Sequence, residues 1–444
     1  MSDVRSRNFL DRFLNVFTEV HAGEGRSAVL LCLNVFFLMT AYYIIKPVRE
    51  ALILSGNGGA EWKSYASAGQ ALLLLGAVPL YGMLASRFPR RRLITVVTLF
   101  FTGCLLVFYL LAQLQIPLGL VFYLWVGVFN LMIIAQFWSF ANDLYTPEAG
   151  KRLFVIIAFG ASLGAVTGGI ITRQLIEPLG VYQLLLVSGG LLLLSLALTG
   201  TVESQQQNIP EKAEISTQKP LPEGNGFKYV FKSRYLLLIA LLMLFLNWVN
   251  TTGEYILGRS VKNAAESAVA AGMAGEIDVG QYIGLFYAQF FTVVNILGLL
   301  LQLFAVSRIL KFLGVRIALV VLPLIAIGGY FILAFIPVLS IIRWAKTAEN
   351  ATDYSLQNTV RQILFLPATR VEKYKAKQAV DTFFVRIGDV LSAVLVAVGT
   401  GLSFKTGHFA LANLLLAGVW LLLAVLIGYE YHRMTSGKKF TGNQ

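Results

Sequence analysis

Residues 205–226 read QQQNIPEKAEISTQKPLPEGNG. A stretch so rich in Gln, Glu, Lys and Pro cannot cross hydrocarbon, and it offers no apolar periodicity from which to build a core. It stands out because the sequence around it is so apolar. Hydrophobic residues make up 57% of the 444, charged residues 13%, and the mean hydropathy is +0.71. A soluble chain carries about 25% charged residues, so this supply could not clothe the surfaces of the roughly three soluble domains the length would imply. Disorder, a disulfide scaffold and an ordinary soluble enzyme are excluded on the same ground. The composition predicts a polytopic membrane protein, and the polar stretch, taken as residues 203–234, reads as a flexible linker.

Outward from that linker, apolar runs long enough to span a bilayer, about 20 residues each, occur on both sides. Six begin near Ser27, Ser64, Leu93, Leu118, Leu153 and Val181, and six near Tyr235, Gln281, Ile317, Pro337, Ala379 and His408. The expected fold is an all-α membrane protein with twelve transmembrane helices in two pseudo-symmetric halves of six, residues 27–202 and 235–429. An N-terminal segment (1–26) and a basic tail (430–444) flank them. If the N-terminus lies in the cytoplasm, the cytoplasmic segments carry 26 Lys and Arg and the opposite side carries 7. The positive-inside rule then places both termini in the cytoplasm, and the inner membrane is the expected location. The net charge of +13, from 36 basic and 23 acidic residues, therefore reads as topology rather than as nucleic-acid binding. In residues 9–17, Phe9, Leu10, Phe13, Leu14 and Phe17 share one helical face, the pattern of a helix lying on the inner membrane surface. No cleavable signal peptide is expected.

The residues that ordinarily carry chemistry are sparse. Cys32 and Cys104 both fall inside apolar runs, and His21, His408 and His432 fall at segment ends with no metal-ligand spacing. There is no phosphate-binding Gly-rich loop and no HExxH pair. No catalytic role, metal or cofactor is expected. The expected partners are a small-molecule substrate and the bilayer, with the chain a monomer.

The loop after the second run reads GMLASRFPRRR, residues 82–92. It resembles the G-x-L-a-D-R-x-G-R-R-x motif of the major facilitator superfamily, with Ser86 for the Asp and Pro89 for the Gly. The resemblance implies that Arg87, Arg90 and Arg91 serve gating and inter-helix pairing rather than substrate contact. Residues 306–316, VSRILKFLGVR, are a weaker echo in the second half. In transporters of this type two six-helix halves enclose a midplane site.

Charges inside spans are costly and usually mark the transported path. In YYIIKPVRE, residues 42–50, Lys46, Arg49 and Glu50 lie on one helical face beside Pro47. An interfacial anchor would also place a Lys there, but the helix pattern runs on to Leu54. In NWVNTTGE, residues 247–254, Glu254 lies at the same depth in the equivalent helix of the second half, as a cavity acid or an end cap. The tenth run bears a stripe of Arg343, Lys346, Glu349, Asn350, Asp353, Gln357 and Arg361. The eleventh carries Asp381, Arg386 and Asp389, the last two spaced for a local ion pair. The stretch GASLGAVTGG, residues 160–169, reads as close helix packing.

With their flanks, these clusters resemble the plastid and bacterial nucleotide transporters of the ATP:ADP antiporter (ADP,ATP carrier protein) family. YYIIKPVREALIL, residues 42–54, is similar to that family's segment around its substrate-binding Lys, here Lys46. FWSFANDLYTPEAGKRLF, residues 137–154, resembles its segment after the fourth helix. DYSLQNTVRQILFLPATRVEKYKAKQAVDTFFVRIGD, residues 353–389, resembles its tenth- and eleventh-helix stretch. Asp389 stands where the family has Lys. The resemblance implies nucleotide transport, with ATP/ADP exchange by alternating access as the leading expectation. The alternative is a facilitator-type carrier of another small organic anion or metabolite, coupled to protons through Glu254 or Asp389. Lys46, Arg49, Glu50, Glu254, Lys346, Glu349, Asp353, Arg386 and Asp389 are the expected substrate-binding residues.

Overall fold

In hydrocarbon a backbone has no water to bond, so apolar runs must satisfy their own amides as helices. A computed structural model shows that outcome; it describes residues 11, 14, 15, 18–21, 23–145, 147–206, 226–369, 372 and 376–440. The first set of helices is α1 (Glu24–Leu54), α2 (Gly59–Arg87), α3 (Arg90–Gln113), α4 (Gly119–Leu144), α5 (Pro147–Leu179) and α6 (Gln183–Gln206). After a short helix, Gly226–Lys232, come α7 (Arg234–Ala270) and α8 (Val279–Leu300), which continues through a π-helical turn into Val306–Phe312. Then follow α9 (Gly314–Phe335), α10 (Leu339–Thr352), α11 (Val385–Gly401) and α12 (Thr406–Phe440). A π-helical turn (Asp353–Gln357) carries α10 on into Asn358–Leu364, and another (Val380–Phe384) precedes α11.

The chain is an integral, multi-pass, all-helical membrane protein. Among the described residues, ten helices are long and apolar enough to cross a membrane. The two expected runs outside this set are α2, which opens on Glu61, Lys63 and Gln70, and α10, whose 14 residues include Arg343, Lys346 and Glu349. Leu72, Phe100, Phe335 and Leu415 stand exposed on outer faces, as contact with lipid tails requires.

The helices cluster into two compact units. One comprises Met1–Gly56, Leu72–Ile215 and Gly272–Thr292, the other Asn57–Ala71, Ser216–Ala271 and Val293–Gln444. In the first unit, α1 is held by α5 through small residues. A Cβ added at Gly160, Gly164 or Gly168 would meet the α1 carbonyl oxygens of Cys32, Phe36 and Thr40 in turn, a four-residue register that lets the two backbones touch. On its other side α1 meets α6. Asn34 Nδ2 donates to Thr199 Oγ1 at 2.7 Å and to the Ser195 carbonyl at 3.1 Å, and Ser195 Oγ donates back to Asn34 Oδ1 at 2.8 Å. Gly164→Leu is expected to lower the thermal unfolding midpoint of the purified protein sharply, because the added side chain must force the two helices away from each other. Leu163→Ala, on the exposed face one position earlier, should leave the midpoint within a few degrees.

The expected surface helix at 9–17 is only partly within the described residues. There Leu14 and Val20 are buried with Ala28, Leu153 and Ile156, against α1 and α5, so this portion of the segment packs on protein. Asp11 accepts from the amides of Gly23 and Gly25 at 3.1 and 3.0 Å, fixing the entry to α1. The linker from 207 to 225 lies outside the described residues, as do Phe9, Leu10, Phe13 and Phe17.

Candidate functional site

In the first unit the charges of α1 sit among aromatic rings. α1 runs unbroken through Pro47 to Leu54, so Lys46 and Glu50 are interior residues, 8% and 1% exposed. The Lys46 ammonium lies 3.9 Å from the centre of the Phe291 ring and 5.2 Å from that of Tyr43. Arg49 pairs with Glu50, and its guanidinium stacks 4.6 Å from the centre of the Tyr123 ring. The rings offer a cation their electron-rich faces, which lowers the cost of keeping two positive charges in a weakly solvated place. α4 supplies Tyr123 and, below it, the stacked pair Trp125 and Phe129 at 5.3 Å; the tilted ring of Phe129 lies 6.5 Å from Tyr42 of α1. The close approach of α4 to α1 is fixed at Gly119, where a Cβ would strike the Leu52 carbonyl.

In the second unit α7 lines up two polar stations on one face. Asn247 and Thr251 serve the first. Asn247 Nδ2 and Thr251 Oγ1 each donate to Asp389 Oδ1 at 2.8 Å, while Arg386 donates to Asp389 Oδ2 at 3.0 Å. Asp389 is buried and Arg386 half-buried. The local ion pair suggested by their spacing is present, with two α7 donors added to it. Gly388 makes this possible, since a Cβ there would meet the Leu244 carbonyl and the Trp248 amide.

Asn250 and Glu254, one turn further along α7, serve the second station. Lys346 of α10 lies 3.7 Å from Glu254, 3.1 Å from Glu349 and 2.9 Å from Asn250 Oδ1. The Tyr330 hydroxyl of α9 donates to Glu349 at 2.9 Å, and Asn350 Nδ2 donates to Glu254 at 3.1 Å. Gly253 leaves room for this convergence: a Cβ there would collide with the Tyr330 hydroxyl and come within 3.0 Å of the Lys346 nitrogen.

The sequence-expected residues thus fall into three groups: Lys46, Arg49 and Glu50; Glu254, Lys346 and Glu349; and Arg386 with Asp389. Asp353 lies within electrostatic reach of Lys346 and Arg361. Asp381 instead pairs with Lys377 at 2.9 Å. Arg87 and Arg91 of the loop motif are exposed, and the Arg90 side chain lies outside the described residues. Three contributors were missed: Lys63, Glu61 and Tyr330. Lys63 lies 3.5 Å from Glu254, and the Tyr255 hydroxyl donates to Glu61 at 3.2 Å. These contacts tie the first turns of α2 to α7, so residues 57–71 cluster with the second unit. The signal available was a polar helix start, Glu61, Lys63, Ser64, Ser67 and Gln70, where a lipid-facing span should be apolar.

This arrangement can hold anionic groups beside aromatic faces. Among the described residues no His, Cys, Asp and Glu group could hold a metal ion. Two ADP,ATP carrier proteins 2 align nearly end to end. That of Chlamydia pneumoniae is 20% identical over 93% of this chain and 90% of its own length. That of Chlamydia trachomatis is 21% identical over 98% and 93%. Among solved structures, nucleoside transporter NupG superposes with a TM-score of 0.59 at 12% identity, covering 92% of this chain and 98% of its own. A POT family transporter in complex with 5-aminolevulinic acid does so with a TM-score of 0.61 at 14% identity, covering 92% and 97%. The profile of the Major Facilitator Superfamily matches residues 31–348. With most of its length accounted for in this way, the chain belongs to the Major Facilitator Superfamily.

Proposed function

We propose that the protein is a secondary transporter, not an enzyme, that carries nucleotides across the membrane and exchanges ATP for ADP by alternating access. The observation that carries this reading is the alignment with ADP,ATP carrier proteins over about nine tenths of their length. The geometry around Lys46 supports it. A nucleotide presents phosphates and a flat base, and α1 presents cations flanked by the rings of Tyr43, Phe291 and Tyr123. Cations meet phosphate, and rings stack on the base. Within the second unit, Lys346 and Lys63 stand on either side of Glu254.

The remaining assignments belong to the same reading. The chain works as a monomer in the inner membrane with both termini in the cytoplasm and two six-helix halves joined through residues 203–234. It binds substrate through Lys46, Arg49, Glu50, Glu254, Lys346, Glu349, Asp353, Arg386 and Asp389, and Arg87, Arg90 and Arg91 serve its gating.

Reconstitution into liposomes provides the test. Uptake of labelled ATP is expected to be fast in vesicles preloaded with ADP and slow in empty ones. Equal uptake in both would remove the exchange mechanism. If a panel of organic anions were carried and adenine nucleotides were not, the nucleotide reading would fall.

A further inference from the structure

Glu254 of α7 sits between two ammonium groups that come from different helices. Lys63 of α2 approaches one carboxylate oxygen at 3.5 Å, and Lys346 of α10 approaches the other at 3.7 Å. Both separations exceed the roughly 2.7–2.9 Å of a charge-assisted hydrogen bond, so the carboxylate is attracted without being locked. Exposure follows the same division. The Glu254 side chain is 21% exposed, those of Lys63 and Lys346 6% and 1%. Lys346 is also held independently, by Glu349 at 3.1 Å and Asn250 Oδ1 at 2.9 Å, and Glu349 is braced by Tyr330. Lys346 is therefore a fixed member of the cluster, both cations are buried, and the Glu254 carboxylate is the wettest of the three. Asn350 Nδ2 donates to it at 3.1 Å.

We propose that Lys63 and Lys346 form an anion-binding site and that Glu254 is its resident occupant, displaced when a phosphate group of the substrate arrives. This rests on the reading of the protein as a nucleotide carrier and deepens it in two ways. Lys63 becomes a binding residue, and Glu254 becomes a competitor of the substrate rather than one of its ligands. The physical reason lies in the cost of an uncompensated buried charge. Glu349 stays beside Lys346 throughout, and a further anion facing Lys63 and Lys346 is supplied by phosphate in the loaded state and by Glu254 in the empty one. The return of the carboxylate then helps expel the phosphate, so the same residue weakens binding and speeds release.

The opposite signs of two substitutions test this in the full-length protein in lipid nanodiscs, with pyrophosphate and ADP as titrants. Glu254→Gln removes the competing charge and should tighten pyrophosphate binding by about tenfold while slowing exchange. Lys63→Gln should weaken binding by about tenfold or more, and Lys63→Arg should retain most of it. Should Lys63→Gln fail to fold, Lys63→Arg and Glu254→Gln decide the matter: retained binding in the first and tighter binding in the second are required. The site is overturned if Glu254→Gln weakens pyrophosphate binding or leaves it unchanged. It is equally overturned if Lys63→Gln binds like the wild type, or if the wild type binds no pyrophosphate. If pyrophosphate follows the expected pattern but adenine nucleotides are not exchanged, the site stands and the nucleotide reading fails.

Discussion

Lys46→Ala is expected to reduce ATP/ADP exchange by one to two orders of magnitude while leaving the protein folded. The lysine is 8% exposed, its ammonium between Phe291 at 3.9 Å and Tyr43 at 5.2 Å. A charge-assisted contact to phosphate oxygen contributes about 1.5–3 kcal/mol, which corresponds to a roughly 10- to 100-fold loss. Two effects on stability oppose one another. Removing the ammonium loses the attraction of two ring faces, up to about 2 kcal/mol when desolvated, but also removes the cost of keeping a charge out of water. The unfolding midpoint should therefore move far less than transport. Lys46→Arg should recover activity incompletely, because the guanidinium keeps the charge but presents a rigid planar fork where the lysine has a compact point charge. Initial exchange rates across a range of ADP concentrations, beside a melting curve for each variant, separate the two effects. An alanine variant that exchanges nucleotide at the wild-type rate would place Lys46 off the transport path.

The helices were legible because the bilayer imposes one rule on every span: about 20 apolar residues, all amides bonded within the segment. Helices stand near each of the twelve expected starts. Of the two outside the ten clear spans among the described residues, α10 is a 14-residue helix that carries Arg343, Lys346 and Glu349, and α2 opens on Glu61 and Lys63 before its apolar run begins. The interior charge clusters were legible where a charge lay deep in a run, as at Lys46, Glu254 and Lys346. Lys63 was not, because its place four residues into a helix, near a Gly-rich turn, reads as an outer loop charge. Only tertiary packing brings it within 3.5 Å of Glu254, 191 positions along the chain. Tyr330 gave no signal either, since a single Tyr in an apolar span is ordinary until Glu349 is found beside its hydroxyl. The π-helical turns were likewise beyond the sequence pattern. Each inserts one residue into a helical period, and two of them flank the segments that carry Lys346 and Asp389.

Asp389→Lys is expected to abolish transport and to destabilise the second unit, although the resemblance alone would favour it. The nucleotide carriers that this sequence resembles have Lys at the matching position, so by analogy the change should restore a phosphate contact. The structure gives the opposite sign. Both Asp389 oxygens are in use, Oδ1 by Asn247 and Thr251 at 2.8 Å each and Oδ2 by Arg386 at 3.0 Å. An ammonium is donor-only, so the substituted side chain would face three donors, one of them a cation, in a place where Asp389 is 5% exposed. Breaking a buried pair in this way costs about 3–5 kcal/mol, toward the lower end because Arg386 is 35% exposed. Reversing the pair, with Arg386→Glu and Asp389→Lys together, restores the i, i+3 attraction but still leaves the Asn247 and Thr251 donors facing an ammonium. Rescue should therefore be partial in the melting curve. If the single Asp389→Lys variant instead melts like the wild type and exchanges nucleotide faster, the carboxylate was never the acceptor that holds α7 to α11. The position would then act, as the resemblance has it, as a contact for substrate phosphate.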